Sequence, residues 1–536
     1  MRRVLCGSLV AVAALLLLGL FAGSARGARP DCDEQTALCT EPVDAIGYDG
    51  AYTGHDEPSL LFYSNTAGSG NSSLYHVKLP TEPRVLPNQA GTAGTWNFQL
   101  HPAYWFGMAL CDNQSAPEFT HAPCTPDSDS NIFDGTNDAA PDYIGHHPGT
   151  AFLEVQFYPP GWAPWPPGVS CDASQWCAAM AIFSLNQNLN SGALNNESCL
   201  DSVGLEPANF AFITKSGVPH APPSPLGGTA ATFTPSSATD LFMNPGDNLT
   251  LDIHDGAAGL TVIVHDLSTG ESGSMTASAA NGFAHILFEP ASATCHQEPY
   301  TFRPMYATSS EHTRVPWAAH SYNVAASDEI GHFEYCDTVS EEGGACVSNG
   351  EDSIDGDDAG CFSAAFSLFV PIGGCIATDN DFDGTSYQPV WPGTDPNRGQ
   401  DAKYHPTPIT FTSPLFNGSE NYSRVAFETD LPRIEAADFG GSCNRFTGSG
   451  CVNPPPGANF YPIYTTGTST QNPSATGHCV WQFGGPYIKG TTNTFGGNSA
   501  AEFGPLLFSF YPNPNPAIRL RTNNFRNVLS SNPCPA

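Results

Sequence analysis

Residues 248–266 constrain the fold class more than any other stretch. Asn248-Leu-Thr-Leu-Asp-Ile-His254 and Leu260-Thr-Val-Ile-Val-His-Asp266 alternate apolar and polar residues strictly, which is the period of a strand with one buried face. Asp255-Gly-Ala-Ala-Gly259 between them reads as a turn, so the two runs form an antiparallel hairpin. Ser274–Ser278 and Ala284–Phe288 continue a meander. No segment shows a long, capped period of 3.6. The chain is therefore expected to be all-β, with two or three β-sandwich (jelly-roll-like) domains and long disulfide-stapled loops.

Further strand patterns lie on both sides of that hairpin. Leu60–Tyr63 and Ser73–Leu79 come first, and Thr150–Tyr158 puts Leu153, Val155 and Phe157 on one face with Glu154 and Gln156 on the other. The proline-rich run 159–168 ends that strand. Ala178–Leu185, Phe210–Thr214, Ile409–Thr412 and Leu506–Tyr511 are further candidates. Residues 216–237 are rich in Pro, Gly, Ser, Thr and Ala and read as a linker. The resulting division is a signal segment 1–27, an N-terminal sandwich 28–215, the linker 216–237, a central sandwich 238–360 and a Cys/Gly-rich β domain 361–536.

The amino terminus carries Arg2 and Arg3, an apolar run from Val4 to Leu20, and small residues at Ala22-Gly-Ser24 and Ala25-Arg-Gly27. That is the layout of a cleaved secretory signal, and it predicts a secreted, extracellular protein with no membrane insertion after cleavage. Loss of 1–27 removes Cys6 and leaves 16 of the 17 cysteines. An even count in an oxidising compartment implies disulfides. The closest spacings, Cys32/Cys39, Cys171/Cys177 and Cys443/Cys451, suit local disulfide loops rather than zinc pairs. The formal charge is −34, and the lysines are only Lys78, Lys215, Lys403 and Lys489. Nucleic acid and anionic membranes would repel such a surface, whereas neutral polymers and cations would not.

From Val315 to Asn397 there are 15 acidic residues and no Lys or Arg. Within that span lies Asp379-Asn-Asp-Phe-Asp-Gly384. Carboxylates at alternate positions converge on a hard cation, and the glycine allows the sharp turn. The six residues resemble the first half of the calcium loops of EF-hands, dockerins and thrombospondin type-3 repeats. The resemblance implies Asp379, Asp381 and Asp383 as calcium ligands. Val390 occupies the place of the bidentate Glu, so a complete EF-hand is not expected. Asp352–Asp358 and Asp127–Asp134 are looser acidic loops of the same chemical type.

The stretch between Cys295 and Cys336 concentrates acid–base and ligand residues: Glu311, His312, His320, Glu329, His332 and Glu334, with Trp317 among them. Adjacent strands can gather His312, His320 and His332 around zinc or copper, although no fixed metal spacing such as HExxH is present. Glu329, Glu334 and Glu311 are the candidate catalytic carboxylates, with Glu154 and the Asp430/Glu435/Asp438 set as further candidates for a glycosidase pair. Trp317 and Trp391 can stack on sugar faces. No GxSxG, phosphate loop or dinucleotide fingerprint occurs.

Three functional expectations follow. The first is an extracellular hydrolase acting on polysaccharide or glycan by carboxylate acid–base chemistry. The second is a non-catalytic, calcium-stabilised carbohydrate-binding or surface protein. The third is a His-ligated transition-metal enzyme on the same scaffold.

Overall fold

The structure is a computed structural model that describes residues 53–55, 59–64, 66, 68–79, 104–115, 150–158, 171–172, 174–184, 196, 198–199, 203, 207–304, 324–328, 332–334, 338–339, 346–348, 409–431, 464–469, 478–483, 506–508, 523–528 and 531–536. The first group of strands is β1 (Thr53–His55), β2 (Ser59–Tyr63), β3 (Ser72–Lys78), β4 (Tyr104–Cys111), β5 (Thr150–Tyr158), β6 (Trp176–Ser184) and β7 (Ala208–Phe212). The middle of the chain gives β8 (Phe242–Met243), β9 (Asn248–Gly256), β10 (Gly259–Asp266), β11 (Ser272–Thr276), β12 (Ala284–Ile286), β13 (Gln297–Pro299), β14 (Arg303–Pro304), β15 (Val324–Asp328), β16 (His332–Glu334), β17 (Thr338–Val339) and β18 (Cys346–Ser348). The last group is β19 (Thr410–Phe411), β20 (Leu415–Phe416), β21 (Glu420–Asn421), β22 (Arg424–Leu431), β23 (Tyr464–Ser469), β24 (His478–Phe483), β25 (Leu506–Phe508) and β26 (Asn523–Val528).

Two large sheets take up most of these strands. One has 11 strands in the order β25-β26-β22-β2-β15-β4-β5-β6-β7, with β14 on β4 and β8 on β6. The other has nine, in the order β11-β10-β9-β3-β19-β24-β23, with β20 on β3 and β21 on β20. Both draw strands from 28–215, 238–360 and 361–536, so these three stretches share sheets rather than each closing its own.

The sheets face one another across a single core. Leu153, Val155 and Phe157 of β5 lie in it with Leu249, Leu251 and Ile253 of β9, as the alternation predicts. Tyr75 of β3 and Phe106 of β4 meet across the layers with ring centroids 4.7 Å apart, and Phe411 of β19 stands 5.4 Å from Phe106. Burying one such large side chain contributes about 1.5–3 kcal/mol. The predicted hairpin is present, with Val262 opposite Ile253 and Val264 opposite Leu251. Its turn is tighter than the sequence suggests, since the strands run to Gly256 and from Gly259. The meander holds as far as β11. β12 then leaves the sheet and pairs with β13 alone.

Residues 216–237, whose composition reads as a linker, are packed against the outer surface of β7. Phe233 lies 5.1 Å from Phe210, and the His220 ring stacks on Phe212 at 5.7 Å. The Phe210 amide donates to Pro223 O, and Thr232 Oγ1 donates to Pro222 O. Turn-forming residues satisfy backbone groups locally, so the same composition serves a tethered covering loop.

Cys171–Cys177 closes the short loop expected from its spacing. Cys199–Cys295 and Cys479–Cys534 join distant segments. Cys32/Cys39 and Cys443/Cys451 lie outside the described residues. Among the described residues no helix is long and apolar enough to cross a membrane, which leaves β-barrel crossing unaddressed.

Candidate functional site

β2 sits in the eleven-stranded sheet with Leu60, Leu61 and Phe62 buried, and β15 pairs along it with Ser59 opposite Ser327. The same two chain segments then pair a second time. Four residues before Ser59 and five after Ser327, β1 and β16 set His55 opposite His332, Gly54 opposite Phe333 and Thr53 opposite Glu334. The two pairings are one residue out of step, and β1 with β16 forms a two-stranded sheet of its own, a short ribbon. Strands alternate faces, so His332 and Glu334 share a face, and His55 at the directly opposed position shares it too. Asp56 and Glu57 follow His55 in the chain, and Asp328 closes β15 just before Glu329. Neither 53–60 nor 324–334 contains Lys or Arg. Imidazoles and carboxylates with no fixed cation in their own segments can exchange protons or hold a positive ion.

Of the residues singled out in the sequence, His332 and Glu334 belong to this ribbon. Glu311, His312, Trp317, His320, Glu329, Trp391, Asp379, Asp381 and Asp383 lie outside the described residues, as do the looser acidic loops 127–134 and 352–358. His55 was missed. It lies in a stretch with little periodicity, and only long-range strand pairing connects it to His332.

Glu154 is in the structure, on the face of β5 away from the core and only 5% exposed. It stands opposite Gly107 of β4 and Ala181 of β6, accepts from Gln156 Nε2, and Gln156 in turn accepts from the Tyr158 hydroxyl. Asp430 is on β22, four strand spacings from β5. At about 4.8 Å each that is ~19 Å, wider than the ~5–10 Å between glycosidase carboxylates.

A second cluster was not found by sequence reading. It lies where the β12–β13 hairpin meets the ends of β4 and β6. His285 of β12 is 1% exposed and bridges two carboxylates, with Nδ1 2.8 Å from Asp112 Oδ1 and Nε2 3.0 Å from Glu298 Oε1. Asp112 is equally buried, whereas the Glu298 side chain is 56% exposed. Ser184 Oγ donates to Asp112 Oδ2 at 2.7 Å, and the Gln114 amide donates to Asp112 Oδ1. Tyr300 stacks on His285 at 4.0 Å and donates its hydroxyl to Cys111 O. Burial by itself lowers the His285 pKa, but Asp112 and Glu298 together outweigh it and hold the imidazole above its usual value. Burial also pushes the Tyr300 phenol up. Ser184 bonds to the aspartate rather than to the histidine, so this is no nucleophilic triad. It is a charged clasp, and Asn209 reinforces it by exchanging two hydrogen bonds with the Ala284 backbone.

Other buried acids are committed in the same way. Asp240 bonds His220 and takes the Ser236 amide, and Asp266 takes Ser268 and Thr269. Asp247 caps the turn at Asn244, its pKa raised by burial and by nearby Asp266. Among the described residues no group of three or more His, Cys, Asp or Glu is placed to hold a metal.

The fold and these clusters define an all-β, disulfide-bonded sandwich. No family model matches the chain, and no curated protein does. Among solved structures it shows a likeness to the enzymatically active domain of tailspike protein 2 of bacteriophage CBA120. The two are 12% identical, with a TM-score of 0.17, over 51% of this chain and 21% of that one. A likeness at that level fixes neither fold nor activity.

Proposed function

We propose that this chain is an exported protein that acts on an extracellular glycan, with carboxylates of the β1–β16 ribbon and its flanks performing the acid–base chemistry. The observation that supports this reading is the register of β1 with β16. It joins two cation-free segments that together carry His55, Glu57, Asp328, His332 and Glu334. Glu329 and Glu334 are the proposed acid–base groups, Glu311 a third candidate, and Trp317 and Trp391 the sugar-stacking residues. Asp379, Asp381 and Asp383 bind calcium in this reading and stabilise the fold.

The test is a screen of the full-length secreted protein against neutral and acidic polysaccharides, measuring reducing ends released. Glu329→Gln and Glu334→Gln should each remove turnover without changing the melting temperature. Turnover unchanged in both variants would withdraw the assignment. A second reading, a non-catalytic glycan-binding protein, draws support from the structural commitment of Asp112, Asp240 and Asp266. Retained polysaccharide binding with no turnover by the wild type would favour it.

A further inference from the structure

We infer that Asn417, at the tip of the β20–β21 hairpin, is an attachment site for an N-linked oligosaccharide. This goes beyond the glycan-acting reading and rests only on its first part, export.

Six asparagines open an Asn-x-Ser/Thr triplet in which x is not proline: Asn71, Asn113, Asn196, Asn248, Asn417 and Asn421. That triplet is the acceptor for asparagine-linked sugar in exported chains. In the transfer, the side-chain Nδ2 attacks the anomeric carbon of a lipid-linked oligosaccharide diphosphate. A carbon–nitrogen bond forms and the bond from that carbon to the phosphate oxygen breaks. The lipid diphosphate leaves with the electron pair, and one amide proton passes to a base. The sugar is bulky and hydrophilic, so the folded protein must leave its asparagine open to solvent.

Burial and bonding separate the six. Asn196 is 1% exposed, its Nδ2 donates to Thr294 O, and its Oδ1 accepts from the Ser198 amide and hydroxyl. A sugar there would break the fold locally. Asn71 and Asn113 are half-buried with Oδ1 shut off from solvent. Asn248 is half-buried within the β3–β9 ladder, opposite Lys78. Asn421 is exposed, but its Oδ1 accepts from the Ala536 amide, which ties it to the C-terminal tail anchored by Cys479–Cys534. Asn417 differs from the other five: it is exposed, and its side chain makes no hydrogen bond among the described residues.

The backbone explains why this tip is open. Asn417 has φ 50° and Gly418 φ 75°, left-handed conformations that Asn and Gly adopt most easily. The Asn417 amide donates to Ser72 Oγ and the Ser419 amide to Phe416 O, so the turn is held while residues 417–421 stay exposed. A Cβ on Gly418 would meet nothing within 4 Å. β21 pairs with β20 alone, and among the described residues no strand lies beyond it. A sugar at this edge therefore displaces no ladder, and Phe416 and Tyr422 stay buried beneath it.

The test takes the full-length protein from the medium of its source cells. Peptide-N-glycosidase in water enriched in heavy oxygen converts each glycosylated Asn into labelled Asp, which peptide mass spectrometry locates. Asn417 should carry the label and Asn196 should not. Asn417→Gln and Ser419→Ala should each remove one glycan from the intact mass, the second without altering the asparagine. Asn196→Gln should leave the attached sugar unchanged. An unlabelled Asn417 in the secreted protein, or a glycan mass that neither hairpin variant reduces, would overturn the site. Absence of the chain from the medium would refute export and the site with it, whereas an exported chain with a bare Asn417 refutes the site alone.

Discussion

Replacing His285 with Gln tests the clasp that fastens the β12–β13 hairpin to the sandwich. The substitution leaves Asp112, which is almost wholly buried, without its cation. Breaking one side of a buried ion pair costs about 3–5 kcal/mol, because the remaining charge stays desolvated. Near 2 °C per kcal/mol for a large domain, the melting temperature should fall by roughly 6–10 °C at pH 6. The pH dependence follows from the direction of the shift. Burial lowers the His285 pKa, the carboxylates of Asp112 and Glu298 more than restore it, and the folded value ends above the usual one. A group raised on folding stabilises fully below its unfolded pKa, about 6.5, and that stabilisation is lost as the pH climbs through the folded value. The gap between wild type and His285→Gln should therefore be widest near pH 6 and narrow on the alkaline side. The double variant Asp112→Asn/His285→Gln removes both charges and should recover part of the loss. Differential scanning calorimetry at several pH values measures all three proteins. A gap that stays constant from pH 6 to pH 10, or no loss at pH 6, would refute the clasp.

Gly107→Ala would place a Cβ 2.7 Å from both Leu153 O and the Trp105 ring, so urea unfolding should show a loss of about 1–3 kcal/mol. Replacing Cys199 and Cys295 by Ser opens a covalent loop of 96 residues. The chain-entropy model puts the cost at about 4–5 kcal/mol, and reductant should lower the melting temperature of that variant by less than it lowers the wild type's, since Cys171–Cys177 and Cys479–Cys534 remain. With calcium bound at the Asp379 loop and the free ion at 100 times Kd, chelation should remove about 2.7 kcal/mol of stability, read as a lower melting temperature of the wild type. An Asp381→Ala variant insensitive to chelator would confirm the locus.

What the sequence made legible was local. Leu153, Val155 and Phe157 face the core and Glu154 and Gln156 do not, because alternation records which face of a strand is buried. The 248–266 hairpin was readable because its two strands are adjacent in sequence and joined by a tight turn. Cys171–Cys177 was readable for the same reason. The 216–237 stretch was not, since Pro, Gly, Ser and Thr have one local meaning whether a segment spans domains or covers a sheet. Which surface it covers depends on Phe233 finding Phe210 and His220 finding Phe212.

The candidate site shows the same limit more sharply. His332 and Glu334 stood out because charged and ligating residues crowd their neighbourhood. His55, more than half the chain away, carries no such signal. β2 accepts β15 and β22 as its neighbours because buried apolar faces must be covered, and that long-range choice fixes the register of everything the strands lead into. Leu60 and Phe62 of β2 are wholly buried, so Leu60→Ala should cost about 2–5 kcal/mol in urea unfolding. A loss below about 1 kcal/mol would show that packing at Leu60 does not hold β2 between β15 and β22.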